Sequence, residues 1–166
     1  MQNLRNLKTL LAVQSWKTEI IRTVFTILIT VFVFQCVLGI SYVQGVSMEP
    51  NFHENDVVMC LRLKKPDYKD IAIIKSDSLD CYIIKRVIAK GGDTIAIKDG
   101  VTYLNGEKLD ESYINLDENS NMAETTVPDG YYFVMGDNRP HSTDSRSDMV
   151  SFVSKNDVIG TVFLHI

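Results

Sequence analysis

Two regimes of patterning divide the chain. From Thr23 to Met48 the sequence reads TVFTILITVFVFQCVLGISYVQGVSM, without a charge, and its first two-thirds is almost wholly apolar. About 20 such residues cross a bilayer as a helix. Many are β-branched, but a lone segment in lipid must satisfy its own backbone, so the helix is the form expected. The run exceeds the apolar core of a cleaved leader, roughly 7–15 residues, and a domain this small has little room to bury it. Phe32, Phe34 and Tyr42 suit a lipid-facing helix with an aromatic near one interface. The pattern predicts a short segment over 1–19, a transmembrane helix over 20–42 and a single domain over 43–166.

Beyond Glu49 the apolar runs become short. They are 57-VVMCLRL-63, 71-IAIIK-75, 82-YIIKRVIA-89, 94-TIAIK-98, 101-VTYL-104, 131-YYFVM-135 and 158-VIGTVFL-164. Turn residues separate them, which predicts strands and a mainly β domain. The pairs Asp99-Gly100 and Asn105-Gly106 flank one short strand and predict two tight hairpins. The stretch 115-NLDENSNMAETTVPDG-130 is polar and reads as an exposed loop.

One run is unusual. In 81-CYIIKRVIAK-90, a period of two puts Tyr82, Ile84, Arg86 and Ile88 on one face and Ile83, Lys85, Val87 and Ala89 on the other. Neither face is cleanly polar, so a charge must meet an apolar layer. Lys85 either snorkels to solvent or is desolvated, which favours its neutral form.

Charge adds an orientation. Arg5, Lys8, Lys17 and Arg22 against Glu19 alone give the N-terminal stretch +3, so the remainder carries −7 of a chain whose net charge is −4. Basic flanks stay cytoplasmic, which predicts a single-pass protein of the cell membrane with its N-terminus inside and its β-domain outside. Leu4, Leu7, Leu11 and Trp16 recur at roughly helical spacing, as a surface-lying amphipathic lead-in or a frayed tail. Cys60 and Cys81 would pair in an oxidising compartment, or stay as free buried thiols.

Three clusters carry candidate chemistry. In 45-GVSMEP-50, Ser47 is a turn residue or a nucleophile that needs a base. The candidates for that base are His53, His141, His165 and Lys85. A histidine needs a carboxylate to orient its ring, which Asp137 or Asp144 would give His141, whereas a neutral lysine needs only burial and a hydrogen bond. The loop 136-GDNRPHSTDSR-146 is dense in Asx-turn formers and Asp–Arg pairs. It lacks the carboxylate spacing and central glycine of a calcium loop. No spacing suggests a zinc site or a phosphate loop.

In this order, after one span, 45-GVSMEP-50, 85-KRVIAKGGD-93 and 136-GDNRPHSTDSR-146 resemble the boxes of the bacterial type I signal peptidases. The segment 100-GVTYLNGEKLDESYI-114 resembles that family's hairpin between the second and third boxes. The resemblance implies a mainly β domain of two coiled antiparallel sheets behind one transmembrane helix, and a membrane-bound serine endopeptidase that removes signal peptides from exported preproteins. It makes Ser47 the nucleophile and Lys85 the general base, with Ser142 orienting the lysine. Asp144 and Arg146 become a structural ion pair, Arg86 the neighbour of the base, and Met48 and Ile84 part of the substrate cleft. Gly45 falls where some relatives carry an oxyanion-binding serine, which leaves that role to backbone N–H groups, the Ser47 amide first. The implied partners are preprotein signal peptides, membrane lipid and the secretion translocon. Neither nucleic acid, a metal nor an organic cofactor is implied. Gly91 for the usual proline, Asn51 for the common threonine and Ser147 for the expected glycine depart from the pattern. Rival readings are a mitochondrial-type inner-membrane peptidase, a self-cleaving repressor-type protease and a non-proteolytic assembly factor. The span and third box count against the repressor type, and the presence of both Ser47 and Lys85 counts against the assembly factor.

Overall fold

The computed structural model describes residues 2–114 and 119–166, with side chains from Trp16 onward. Two units follow one another, Met1–Val37 and Leu38–Ile166. The first is the helix α1 (Gln2–Phe32), continued by a π-helical turn over Val33–Val37. Its apolar portion, Trp16–Val37, is 22 residues long with none of its side chains buried within the protein. At about 1.5 Å per residue that portion reaches about 33 Å, enough for a hydrocarbon core of about 30 Å. The hydroxyls of Thr26 and Thr30 donate to the carbonyls of Arg22 and Thr26, each at 2.9 Å, so these polar atoms are satisfied inside the helix.

The expected helix to residue 42 needs correction. Residues Leu38–Tyr42 form strand β1, paired antiparallel with β2 (Val57–Leu61) from Leu38–Leu61 to Tyr42–Val57. The small residues of LGISY alternate with large ones, which suits a strand lying close on its neighbour. A Cβ on Gly39 would meet Cys60 Sγ at 2.7 Å, so any larger residue there would have to displace the Cys60 side chain.

The remaining strands are β3 (Ile71–Ser76), β4 (Cys81–Lys90), β5 (Thr94–Lys98), β6 (Val101–Leu104), β7 (Glu107–Lys108), β8 (Met122–Thr126), β9 (Tyr131–Met135), β10 (Val153–Ser154) and β11 (Val158–His165). They build a seven-stranded sheet in the order β1-β2-β11-β3-β4-β9-β10 and a four-stranded sheet in the order β7-β6-β5-β8, with all pairs antiparallel. Both expected hairpins form. Asp99 and Gly100 take φ of 50° and 78°, and Asn105 and Gly106 take 53° and 81°, the two positive values of a type I′ turn.

The polar loop expected over 115–130 also needs correction. Residues 115–118 lie outside the described residues, but Met122–Thr126 is strand β8, paired with β5. Met122 packs on the core of this region and Val127 is fully buried within it, so two apolar anchors dock a segment of otherwise polar composition.

A bulge between Val87 and Ala89 shifts the register of β4 against β9. Strict alternation fails there. Val87 joins the cluster of Ala72, Ile74 and Val134, while Ile88 and Ala89 join Ile95, Ile97, Phe133 and Met135. One strand thereby serves two apolar layers. A third cluster, Val43, Met48, Phe52, Val58, Cys60 and Ile73, lies under the turn that carries Ser47. The described cysteines are free: Cys36 and Cys81 are exposed and Cys60 is buried. Burial raises the thiol pKa of Cys60.

Candidate active site

Lys85 sits in the middle of β4 and is 4% exposed. Desolvation is the largest influence on its amine and lowers the pKa below the ordinary lysine value, against the opposing pull of Asp144 and Asp137. Its Nζ donates to Ser47 Oγ at 2.7 Å. Which of the two carries the shared proton is set by protonation state, and with a neutral amine the hydroxyl is the donor.

Ser47 occupies a tight turn between β1 and β2. Glu49 N–H donates to Val46 O at 3.1 Å, and Asn51 and Phe52 N–H donate to Met48 O at 3.1 and 3.0 Å. Met48, 1% exposed, anchors the turn in the cluster beneath. Gly45 takes φ of 77°, and a Cβ there would meet nothing within 4 Å. A side chain therefore has space at Gly45, but only in a backbone conformation that favours glycine.

The loop after β9 closes the site from a third side. Asn138 N–H donates to Ser47 O at 3.0 Å, and Asn138 Nδ2 donates to Val46 O at 3.0 Å. Arg86, next to Lys85 in β4, grips Asp137 with Nε on Oδ1 at 2.8 Å and a second bond to Oδ2. The Tyr113 ring covers the Arg86 guanidinium at 4.1 Å. Asp144, fully buried, accepts from Gly136 N–H at 2.9 Å and pairs with Arg146 through Nε at 2.8 Å. Arg139 forms a bidentate pair with Glu111, one arm at 3.1 Å, and reaches Thr102 Oγ1 at 3.3 Å, which fastens the loop to the smaller sheet.

Ser142 lies on this loop beside Gly136. Its Oγ is buried and has no hydrogen-bond partner among the described residues. A Cβ on Gly136 would fall 2.2 Å from Ser142 Oγ and 2.5 Å from Ser47 O, so glycine is required where the loop passes the Ser47 turn. The structure thus brings Ser142 close to the Ser47 backbone, but the expected hydrogen bond from Ser142 to the Lys85 amine is not among those of the described residues, and Lys85 bonds Ser47 instead.

The histidines stand elsewhere. His53 is exposed and 4.0 Å from Asp56, His141 is exposed, and His165 lies against Phe52 with ring centroids 4.6 Å apart. Sequence reasoning missed Asn51, Glu111, Tyr113 and Asn138. The three of these outside the third box reach the site across long separations, up to 86 positions for Asn51 with Asp137, although Tyr113 and Glu111 also bond each other locally.

A cleft of about 720 Å³ opens onto Ser47 and Lys85, lined also by Ile40, Tyr42, Met48 and Ile84. Two strand edges face it. β1 is the outermost strand of its sheet, and β4 pairs with β3 along Cys81–Lys85 but with β9 only from Arg86 onward. Each therefore has backbone donors and acceptors available to an added strand.

A family model described as "Signal peptidase, peptidase S26" matches residues 16–166. A signal peptidase I of Bacillus licheniformis is 37% identical over 161 residues, covering 87% of this chain and 83% of the relative. Signal peptidase I T of Bacillus subtilis is 32% identical over 161 residues, covering 87% and 80%. A crystal structure of a signal peptidase I from Enterococcus faecalis superposes with a TM-score of 0.53 at 34% identity, covering 60% of this chain and 98% of that one.

Proposed function

Since the chain belongs to the signal peptidase family S26, we propose that it cleaves signal peptides with Ser47 as nucleophile and Lys85 as general base. The protein is a serine endopeptidase that acts on preproteins. The observation that carries the residue assignment is the 2.7 Å contact between the two side chains, one on a tight turn and the other buried.

The chemistry follows from that contact. Ser47 Oγ attacks the scissile carbonyl carbon while Lys85 Nζ takes its proton. The oxyanion is held by backbone N–H groups, the Ser47 amide first. The tetrahedral intermediate collapses, the C–N bond breaks, and the lysine ammonium gives its proton to the leaving amine of the mature chain. The signal peptide is left as an ester on Ser47. A water deprotonated by Lys85 attacks that ester and restores both side chains. Burial depresses the Lys85 pKa and so favours the neutral amine that the reaction needs, and a bound apolar signal segment would deepen the desolvation.

Binding follows from the two open strand edges. An extended substrate segment adds main-chain hydrogen bonds to β1 or to the first half of β4. Shallow recesses by Met48 and Ile84 admit small side chains just before the cut. Ser142 is a positioning residue for the Lys85 amine in this reading, and the Asp144–Arg146 pair braces its loop. The membrane is reached through the uncharged apolar part of α1 that begins at Thr23, with the N-terminal segment cytoplasmic and the β-domain outside, because Arg5, Lys8, Lys17 and Arg22 all precede that run. Signal peptide and lipid are then met together, with the secretion translocon as a further partner.

The test is cut-site mapping. A purified preprotein incubated with this chain in lipid should yield one mature N-terminus, immediately after a small residue. A large residue placed just before the cut should stop cleavage. Uncut preprotein, or cuts scattered along the chain, would contradict the assignment.

A further inference from the structure

The Ser47 turn keeps its shape through its own hydrogen bonds and its Met48 anchor, but shape does not fix its distance from Lys85. That distance depends on attachments to the rest of the domain. Asn138 holds the near end of the turn, with its backbone N–H on Ser47 O and its side-chain amide on Val46 O, both at 3.0 Å. Asn51 holds the far end, with Nδ2 donating to Asp137 Oδ2 at 2.8 Å and to Tyr113 O at 2.7 Å. Asp137 and Asn138 are consecutive, and Asp137 is held by Arg86, the residue after Lys85. The base and both ends of the nucleophile turn are therefore joined by a closed chain of short polar contacts, in which the two amide side chains are replaceable parts.

We propose that Asn51 and Asn138 are positioning residues for the reaction, fastening the Ser47 turn at both ends to the Asp137–Asn138 dipeptide and so holding the hydroxyl on Lys85. The proposal rests on the Ser47–Lys85 assignment. The Asn51 contacts and the Asn138 contact to Val46 O need an N–H donor on a short side chain, whereas the backbone N–H of residue 138 stays on Ser47 O in any variant. Leucine matches asparagine in branching and heavy-atom count and cannot donate. Threonine at 51 keeps one donor. The departure from the family's usual threonine at this position is thus filled by a residue whose amide reaches two acceptors at once.

The experiment uses the full chain in lipid with a preprotein substrate. Asn51→Leu, Asn138→Leu, the double variant and Asn51→Thr are compared with the parent for kcat, KM and Tm, with Ser47→Ala alongside. Each leucine variant is expected to lose roughly tenfold or more in kcat, the scale on which misplacement of reacting groups acts. KM should stay within about twofold, because the cleft walls are untouched. The double variant should lose less than the product of the single losses, since both amides hold the same turn. Asn51→Thr should recover most of the Asn51→Leu loss. Folded leucine variants with parental kcat would overturn the proposal, as would losses confined to KM, or threonine no better than leucine. If Asn138→Leu fails to fold, the half-buried Asn51 carries the test, and failure of both to fold would assign the pair a purely structural role. Continued cleavage by Ser47→Ala would instead refute the assignment beneath it.

Discussion

Lys85 Nζ lies 2.7 Å from Ser47 Oγ, although 38 positions separate the two residues in the chain. The contact joins a strand interior to a turn, and each partner is placed by a different part of the core. Met48 seats the turn on the cluster under β1 and β2. Lys85 is set by the pairing of β4 with β3, where it faces Ala72, and by apolar neighbours that exclude water.

The first prediction separates lysine from histidine as the base. Lys85→Ala should abolish turnover, and Lys85→Arg should do the same, because arginine stays protonated and cannot accept a proton. His141→Ala should keep most of the activity, since that residue is exposed. Steady-state cleavage of a preprotein by the three variants decides this. Activity in Lys85→Arg combined with loss in His141→Ala would point to a histidine base.

A second prediction concerns pH and stability. The folded pKa of Lys85 is depressed by desolvation, so folding disfavours its protonated form. The unfolded chain binds more protons between the folded pKa and the ordinary lysine value, and stability contributed by this site rises with pH across that window. Below the folded pKa the destabilisation is fully present. Lys85→Met should therefore melt higher than the parent at neutral pH, and the gap should close toward alkaline pH. Melts at a series of pH values test this, and a gap independent of pH would show that the amine is not desolvated. Activity should follow the opposite state of the same group, with kcat/KM rising as the amine deprotonates.

Much of this site is legible in the sequence, for a physical reason. A lysine flanked by Ile83, Ile84 and Val87 violates alternation, and an asparagine or aspartate before glycine fixes a hairpin whatever surrounds it. β1 was hidden because Leu38–Tyr42 continues an apolar run without a break, and composition alone does not distinguish a lipid-facing helix from a sheet edge. β8 was hidden for the converse reason, since only Met122 and Val127 contribute apolar burial to a polar stretch. The Arg139–Glu111 and Asn51–Asp137 contacts depend on tertiary approach, which no local periodicity encodes.

A third prediction concerns Ser142. Its Oγ is buried without a partner among the described residues, so Ser142→Ala should change stability by less than about 1 kcal/mol. If the hydroxyl orients the Lys85 amine during the reaction, the same variant should lose roughly 10²-fold in kcat. Ser142→Thr should retain more activity than alanine. Thermal melts and single-turnover cleavage on the same preparations separate the effects, and a near-normal rate in folded Ser142→Ala would leave Lys85 oriented by packing alone.

Gly136 gives a fourth. A Cβ there would fall 2.5 Å from Ser47 O, so Gly136→Ala must displace the Ser47 turn or the loop. The expected outcome is a fall in kcat of roughly 10²-fold or more with the β-domain still folded, read by cleavage rate and circular dichroism. Parental activity in Gly136→Ala would mean that the loop yields without moving Ser47.

The most direct test of the central claim is cleavage of a preprotein, in lipid vesicles, by the parent chain and by Ser47→Ala prepared in parallel. The dyad predicts one mature product from the parent and none from Ser47→Ala, with both proteins melting alike. Cleavage at the same bond by Ser47→Ala, at a rate comparable with the parent, would contradict it.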